Sequence, residues 1–388
     1  MSDRQPCPPP AKADPSTPRP TVGEIFRRYG RAYRDRHAAQ LSREQRRVLD
    51  QLARCRTGKL GHAVYRCDVC GTYHTVPQSC GNRHCPLCQG HKAKQWLEKQ
   101  LEKLLPCAYF LITFTLPQEL RPLALAHPGE CYRAMFDAAA ATLRKLAGNP
   151  KYVGSRRLGF TGVLHTWGRD LNYHPHVHFI VPGGALSKDG QQWLSSRVDF
   201  FVPVKAASKI YRAKFLDCLA DSGLADEARQ AAGHKKWVVH SKAIGDGRQA
   251  LRYLAPYVYR VAISNGRLVN CEPGPDGLGR VTFTYRKSGS RRLRSMTVTA
   301  DEFIRRFLQH VLPRGFQKVR HYGFLHPRAR TDFEWLSMLV TVTLNAVYVL
   351  LVAAKPLPVA HAPTCPDCGA EMTYLGFVAA PEGRFDSS

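Results

Sequence analysis

The chain is 388 residues long, and its 57 Lys and Arg against 30 Asp and Glu leave a formal charge of +27. Its 44 % apolar and 10 % aromatic content marks a globular protein and excludes a disordered basic tail, and the length allows two or three domains. The positive surplus points to a polyanionic partner, nucleic acid or an anionic membrane.

Residues 1–20 hold seven prolines and little that can pack, so they read as a mobile tail without a secretory signal. From Thr21 to Cys55 the pattern is helical and its polar face is dense in arginine. Thr21 and Glu24 have capping-box spacing, and Ile25, Tyr29 and Tyr33 recur every four residues. Residues 55–91 are rich in Cys, His and Gly with little periodicity, as where metal replaces a core. A helix bearing Trp96, Leu97, Leu101 and Leu105 leads to a strand at 108–116, a helix at 130–147 and strands at 157–167 and 174–184. Helices at 206–220 and 247–263, a hairpin from 281–286 to 291–299 and a helix at 301–312 follow. This order predicts an α+β fold with an antiparallel sheet, preceded by a small zinc-binding domain. The run 336–354 is nineteen residues long and nearly uncharged, close to a membrane span. Its Ser337, Thr341, Thr343 and Asn345 favour a core helix or buried strands instead, and no membrane partner is expected.

Of 13 cysteines, six lie between Cys55 and Cys88 and two form the pair Cys365 and Cys368. An odd count with tight CxxC spacing points to a reducing compartment and metal, and the expected location is cytoplasmic and nucleoid-associated. Cys67-x2-Cys70 precedes Cys85-x2-Cys88 by fourteen residues, the spacing of four thiolates around one tetrahedral Zn2+. Cys55, His62, Cys67, Cys70, Cys80, His84, Cys85 and Cys88 satisfy two such structural ions, with the pairing open and His74 and His91 as bystanders. With Arg54, Arg56, Lys59, Arg66 and Arg83 the region makes a DNA-binding module. CPDCG at 365–369 is a half-site: a distant pair completes it, or it binds no metal.

HPHVHFIV is the most informative stretch. On a strand His174, His176 and His178 share one face, while Val177, Phe179 and Val181 turn to a core. Histidines at i and i+2 lie roughly 6–7 Å apart and can hold one divalent ion. If the upstream strand pairs alongside, His165 is the natural third ligand and His174 the runner-up. Tyr253 and Tyr257 are four residues apart on a predicted helix, on one face, with Arg248, Arg252 and Arg260 around them. Those arginines suit tyrosines presented to a phosphate. Pro256 lies between the two and either kinks the helix or marks its first turn, so the two hydroxyls are not equivalent.

SCGNRHCPLC, LITFTLP, HTWGRDLNYHPHVHFIVPGG, YLAPYVYRVAISN and EFIRRFLQHVLPRGFQKVRHYGFLHP, in this order from about Ile25 to Pro327, resemble bacterial rolling-circle transposases of insertion-sequence family 91, of the HUH nuclease superfamily. The resemblance implies a central five-stranded antiparallel sheet flanked by helices, with the metal histidines His176 and His178 on a central strand and Tyr253 and Tyr257 as nucleophiles; Pro256 departs from the family pattern and ranks Tyr253 above Tyr257. It implies Mg2+ or Mn2+ as the catalytic ion and single-stranded DNA, at transposon ends and target, as the partner. Nicking and rejoining then run through a 5′-phosphotyrosine link. The expected organisation is a tail at 1–20, a basic helix with zinc module at 21–103, the nuclease domain at 104–312 and a C-terminal region at 313–388. Two other functions compete: a plasmid-type rolling-circle replication initiator or relaxase, and a zinc-dependent DNA-binding protein with an inactive nuclease domain.

Overall fold

A computed structural model describes residues 19–259, 262–274, 277–286, 290, 292–344 and 363–380, without the side chains of His91, Pro256 and Tyr257. The expected tail up to position 18, Arg260, and residues 345–354 of the apolar run lie outside the described residues.

Along the chain come helices α1 (Val22–Arg36) and α2 (Arg43–Arg54), strands β1 (His62–Cys67) and β2 (Tyr73–Pro77), and helix α3 (Gly90–Leu101). Strand β3 (Tyr109–Thr115) precedes a short α4 (Arg121–Ala126) and a long α5 (Pro128–Ala147). Then follow β4 (Phe160–Trp167), β5 (Tyr173–Pro182), β6 (Gly184–Leu186), β7 (Trp193–Ser195), α6 (Val204–Cys218), α7 (Ala225–Ala232), β8 (Val238–Ala243) and α8 (Arg248–Tyr259). The remainder holds β9 (Leu268–Pro273), β10 (Gly279–Arg286), β11 (Leu293–Thr299), α9 (Ala300–Leu308), β12 (Val319–Tyr322), α10 (Phe333–Leu344) and β13 (Met372–Val378).

The chain forms two compact units, and both are discontinuous where the sequence suggested contiguous blocks. One comprises Met1–His91, Ile263–Val311 and Lys355–Ser388; the other comprises Lys92–Ala262 and Leu312–Ala354. In the first unit the arginine-rich helical run is two helices. Thr21 caps α1 by accepting from the Glu24 amide at 3.1 Å. Ser42 opens α2 with a complete capping box to Gln45. The buried faces carry Ile25, Phe26, Val48, Leu49 and Leu52. Phe26 meets Phe307 of α9 edge-to-face at 5.2 Å, and Arg36 makes a forked pair with Asp301. The expected late hairpin is β10–β11, which belongs to this unit as part of the sheet β11-β10-β9.

The second unit is built on a five-stranded antiparallel sheet in the order β12-β4-β5-β3-β8. One face carries the main core: Phe110, Ile112, Phe114, Val177, Phe179 and Val181 are buried there with residues of α5 and α6. The opposite face is divided. Its Val163 and Ile180 lie in a second buried cluster with Leu251, Leu254, Ala255 and Val258 of α8 and Leu336 and Val340 of α10. Spacings of three and four residues on α8 give it this single buried stripe. The described start of the apolar run is therefore a helix that buries one face, Leu336, Val340 and Thr341, and leaves Met338 and Val342 exposed; no helix among the described residues is long and apolar enough to cross a membrane.

Candidate functional site

The histidines lie on this same divided face, His165 buried and His176 and His178 half-buried. Antiparallel register sets His165 of β4 opposite His176 of β5, and Thr113 of β3 opposite His178. The imidazoles of His165, His176 and His178 come together, each offering one ring nitrogen within 4.8 Å of the others. Ring centroids are 4.7 Å apart for His176–His178, 4.7 Å for His165–His178 and 5.3 Å for His165–His176.

Neighbouring groups fix the ring orientations. His176 Nδ1 lies 2.7 Å from the His174 carbonyl, and His178 Nδ1 lies 2.8 Å from the Thr113 hydroxyl. Both Nδ1 atoms are thereby engaged, so Nε2 is the nitrogen each ring presents to the others. His165 stacks on Trp167 at 5.2 Å, and Lys318 Nζ lies 4.5 Å from the Trp167 ring centre. Burial, and then the neighbouring imidazoles, hold His165 and His176 well below the usual histidine range; burial lowers His178 to about 4. All three are neutral at pH 7, the form that ligates metal. His174, the runner-up, instead places Nδ1 3.0 Å from Arg121 Nη2. Thr113 escaped the sequence reading because its role depends on the β3–β5 register, although alternation along LITFT already put it opposite Ile112 and Phe114.

Helix α8 carries the tyrosines. Tyr253 is 52 % exposed, on the side away from Leu251 and Leu254, and Arg248 and Arg252 are exposed beside it. Pro256 is the ninth of twelve helical positions, so it is not in the first turn as one reading allowed. The side chain of Tyr257 and all of Arg260 lie outside the described residues.

In the first unit the cysteines form two tetrads: Cys55, Cys80, Cys85 and Cys88; and Cys67, Cys70, Cys365 and Cys368. The two CxxC pairs expected to share one ion are thus divided between tetrads. Their partners are chosen by chain folding: Cys55 ends α2 against Cys80–Cys88, while Cys67 and Cys70 sit at the turn after β1, which pairs with β13. In the first tetrad Cys55–Cys88, Cys80–Cys88 and Cys55–Cys85 sulfurs are 3.6, 3.7 and 3.7 Å apart. Tetrahedral Zn2+ with Zn–S near 2.3 Å has sulfur–sulfur edges of about 3.8 Å, so this donor set fits the ion. His62 and His84, expected as ligands, belong to neither tetrad. His62 starts β1 with its ring against Gly58, and buried His84 holds Asn82 Oδ1 through both its amide and Nδ1, at 2.8 and 3.0 Å. Cys365 and Cys368 have the distant pair that one reading required.

A family described as "Putative transposase" matches residues 159–332, and one described as "Transposase zinc-binding domain" matches residues 25–116. "Putative transposase y4qJ" of Sinorhizobium fredii is 43 % identical over 330 residues, covering 80 % of this chain and 81 % of the relative. "Transposase for insertion sequence element IS801" of Pseudomonas savastanoi pv. phaseolicola is 28 % identical over 358 residues, covering 86 % and 83 %. No solved structure matches the chain. An α+β chain with a cysteine-rich N-terminal module and these relatives is a transposase, and so an enzyme that works on DNA. It belongs to the IS91 family and carries that family's N-terminal zinc-binding domain.

Proposed function

We propose that this transposase nicks and rejoins single-stranded DNA through a covalent link between Tyr253 and a 5′ phosphate, the chemistry of a rolling-circle element. One observation carries the reading: three neutral imidazoles converge on the same sheet face that seats the helix bearing Tyr253. The donor set fits a divalent cation, since His176 and His178 have Nδ1 engaged and Nε2 directed inward. His176 and His178, with His165 as third ligand, would hold Mg2+ or Mn2+, and nitrogen donors favour Mn2+ as the experimental ion. When bound, such an ion supplies charge neutralisation at the scissile phosphate.

The chain's own groups do the rest. Arg248 and Arg252, exposed on α8, give phosphate oxygens charge-assisted hydrogen bonds and hold the strand beside Tyr253. The Tyr253 hydroxyl oxygen attacks phosphorus and gives up its proton to solvent; the P–O3′ bond breaks, and its electron pair leaves with the 3′ oxygen, which takes up a proton. The Tyr253–phosphate bond replaces one ester by another, so attack by a free 3′-OH reverses the step without a nucleotide cofactor. Tyr257, four residues on, is the acceptor for a second strand.

The test uses full-length protein with a single-stranded oligonucleotide carrying a transposon end, in Mn2+. Wild type is expected to form a denaturation-resistant protein–DNA adduct; Tyr253→Phe forms none, and His176→Ala loses at least a hundredfold in rate. An adduct of normal yield with Tyr253→Phe assigns the nucleophile elsewhere, and metal-independent nicking by His176→Ala removes the histidines from the reaction.

A further inference from the structure

The zinc-binding domain matched in this chain ends at residue 116, yet the second cysteine tetrad takes half its sulfurs from Cys365 and Cys368. We infer that Cys67, Cys70, Cys365 and Cys368 bind a second structural zinc ion, which fastens strand β13 to the hairpin of β1 and β2.

The two halves are the same turn built twice. In CDVCG the Cys67 amide donates to the Thr72 carbonyl at 2.9 Å and the Gly71 amide to the Cys67 carbonyl at 2.8 Å. In CPDCG the Cys365 amide donates to the Ala370 carbonyl at 2.7 Å and the Gly369 amide to the Cys365 carbonyl at 2.8 Å. Gly71 and Gly369 have φ of +75° and +76°, left-handed values that glycine adopts without strain. Each turn presents two sulfurs outward from its amides, and the halves meet with Cys67–Cys368 at 3.4 Å and Cys70–Cys365 at 3.6 Å. Those separations match the edges of a tetrahedral zinc–thiolate site, about 3.8 Å, and four thiolates leave no position open for substrate.

Packing explains what the ion does. Strand β13 leaves the second turn antiparallel to β1, with Cys67 opposite Met372 and His62 opposite Val378. The apolar cluster here is small, Cys67, Cys365 and Met372 with Tyr65 and Ala370 against it. Tyr374, Leu375, Phe377 and Val378 of β13 are about half exposed. A three-stranded sheet with so little burial is marginal without a further link, and a metal bond supplies it. His74 supports the site from outside, with Nε2 3.5 Å from Asp367 Oδ2 and 3.7 Å from Cys365 Sγ. The facing ligands of the two halves are separated by 295 to 301 residues, so the ion closes most of the 388-residue chain into a loop.

Full-length protein purified in zinc, analysed by native mass spectrometry and elemental analysis, is expected to hold two zinc ions per chain. Cys365→Ser/Cys368→Ser is expected to hold one, and Cys55→Ser/Cys80→Ser one. Alkylation of the zinc-loaded wild type, read by peptide mass mapping, is expected to spare Cys368 until a chelator is added, while exposed Cys218 reacts throughout. A wild-type content of one zinc, undiminished zinc in Cys365→Ser/Cys368→Ser, or prompt labelling of Cys368 in zinc-loaded protein overturns the assignment. The first and third outcomes need no variant, so they decide the matter even where a substituted chain does not fold.

Discussion

Leu254→Ala tests whether the buried stripe of α8 is what holds the tyrosine helix on the sheet. Leu254 is fully buried, in the cluster that also contains Val163 and Ile180 of the histidine face. Replacement by alanine removes three carbon groups, a transfer loss of about 2.4 kcal/mol at ~0.8 kcal/mol each. The cavity left behind brings the expected total to about 3–4 kcal/mol. All five tryptophans, at 96, 167, 193, 237 and 335, lie in the second unit, so their fluorescence in a urea titration follows that unit alone. With a slope of about 3 kcal/mol/M the midpoint falls by about 1 M, while Gln249→Ala, exposed on the same helix, shifts it by less than about 0.2 M. Adduct formation, measured below the unfolding transition, is expected to drop about tenfold or more because an ångström of misplacement is expensive in rate. A midpoint lowered by less than about 0.2 M, or ~0.5 kcal/mol, would refute the packing argument. A lowered midpoint with a full adduct rate would instead refute the claim that this stripe positions Tyr253.

Two further expectations rest on charge. His321 Nδ1 lies 2.9 Å from the Thr161 hydroxyl, and burial, then Lys103, lowers this histidine to about 4. Its folded value lies below its unfolded value near 6.5, so its contribution is complete above pH 6.5 and is lost as pH falls toward 4, on the order of 3 kcal/mol. His321→Asn, which keeps a hydrogen-bonding group, should flatten the decline in urea midpoint between pH 7 and 5; an unchanged slope contradicts the assignment. In the second unit, Lys205, Lys209 and Arg212 of α6 line a groove with Lys235, Lys236 and Trp237. If single-stranded DNA runs there, Lys205→Ala/Lys209→Ala/Lys236→Ala makes the salt dependence of binding shallower by about 2 in log–log slope, at ~0.7 per phosphate contact. An unaltered slope in a fluorescence-anisotropy titration places the strand elsewhere.

What the sequence disclosed was whatever depends on local period. Alternation through HPHVHFIV fixed which side chains face the core, and the register then delivered His165 beside His176 as strand pairing required. The N-cap at Thr21, the strand at 109–115 and the hairpin of β10 and β11 were legible for the same reason. Cysteine pairing was not. C-x2-C spacing guarantees that two sulfurs converge, but which pairs share an ion is decided by β1 meeting β13 across some three hundred residues. Equally hidden was the association of α9 with α1, through Phe307 on Phe26, which takes residues 263–311 out of the unit that contains their sequence neighbours.

The histidine face shows why fold and site are specified together. Across β3, β5 and β4 the facing rows run Thr115–His176–His165, then Thr113–His178–Val163, then Leu111–Ile180–Thr161. Polar groups fill the first row, apolar ones enter in the second, and by the third Leu111 and Ile180 belong to the surface that seats α8. One strand face therefore carries the three clustered imidazoles at one end and a hydrophobic seat for α8 at the other. A slip of β5 by one residue would turn Val177 and Phe179 onto this face and drive the imidazoles into the core of Phe110, Ile112 and Phe114. Burying unpartnered imidazoles there costs several kcal/mol, and exposing Phe179 adds about 2–3 kcal/mol. The register that best buries the core is the register that gathers His165, His176 and His178.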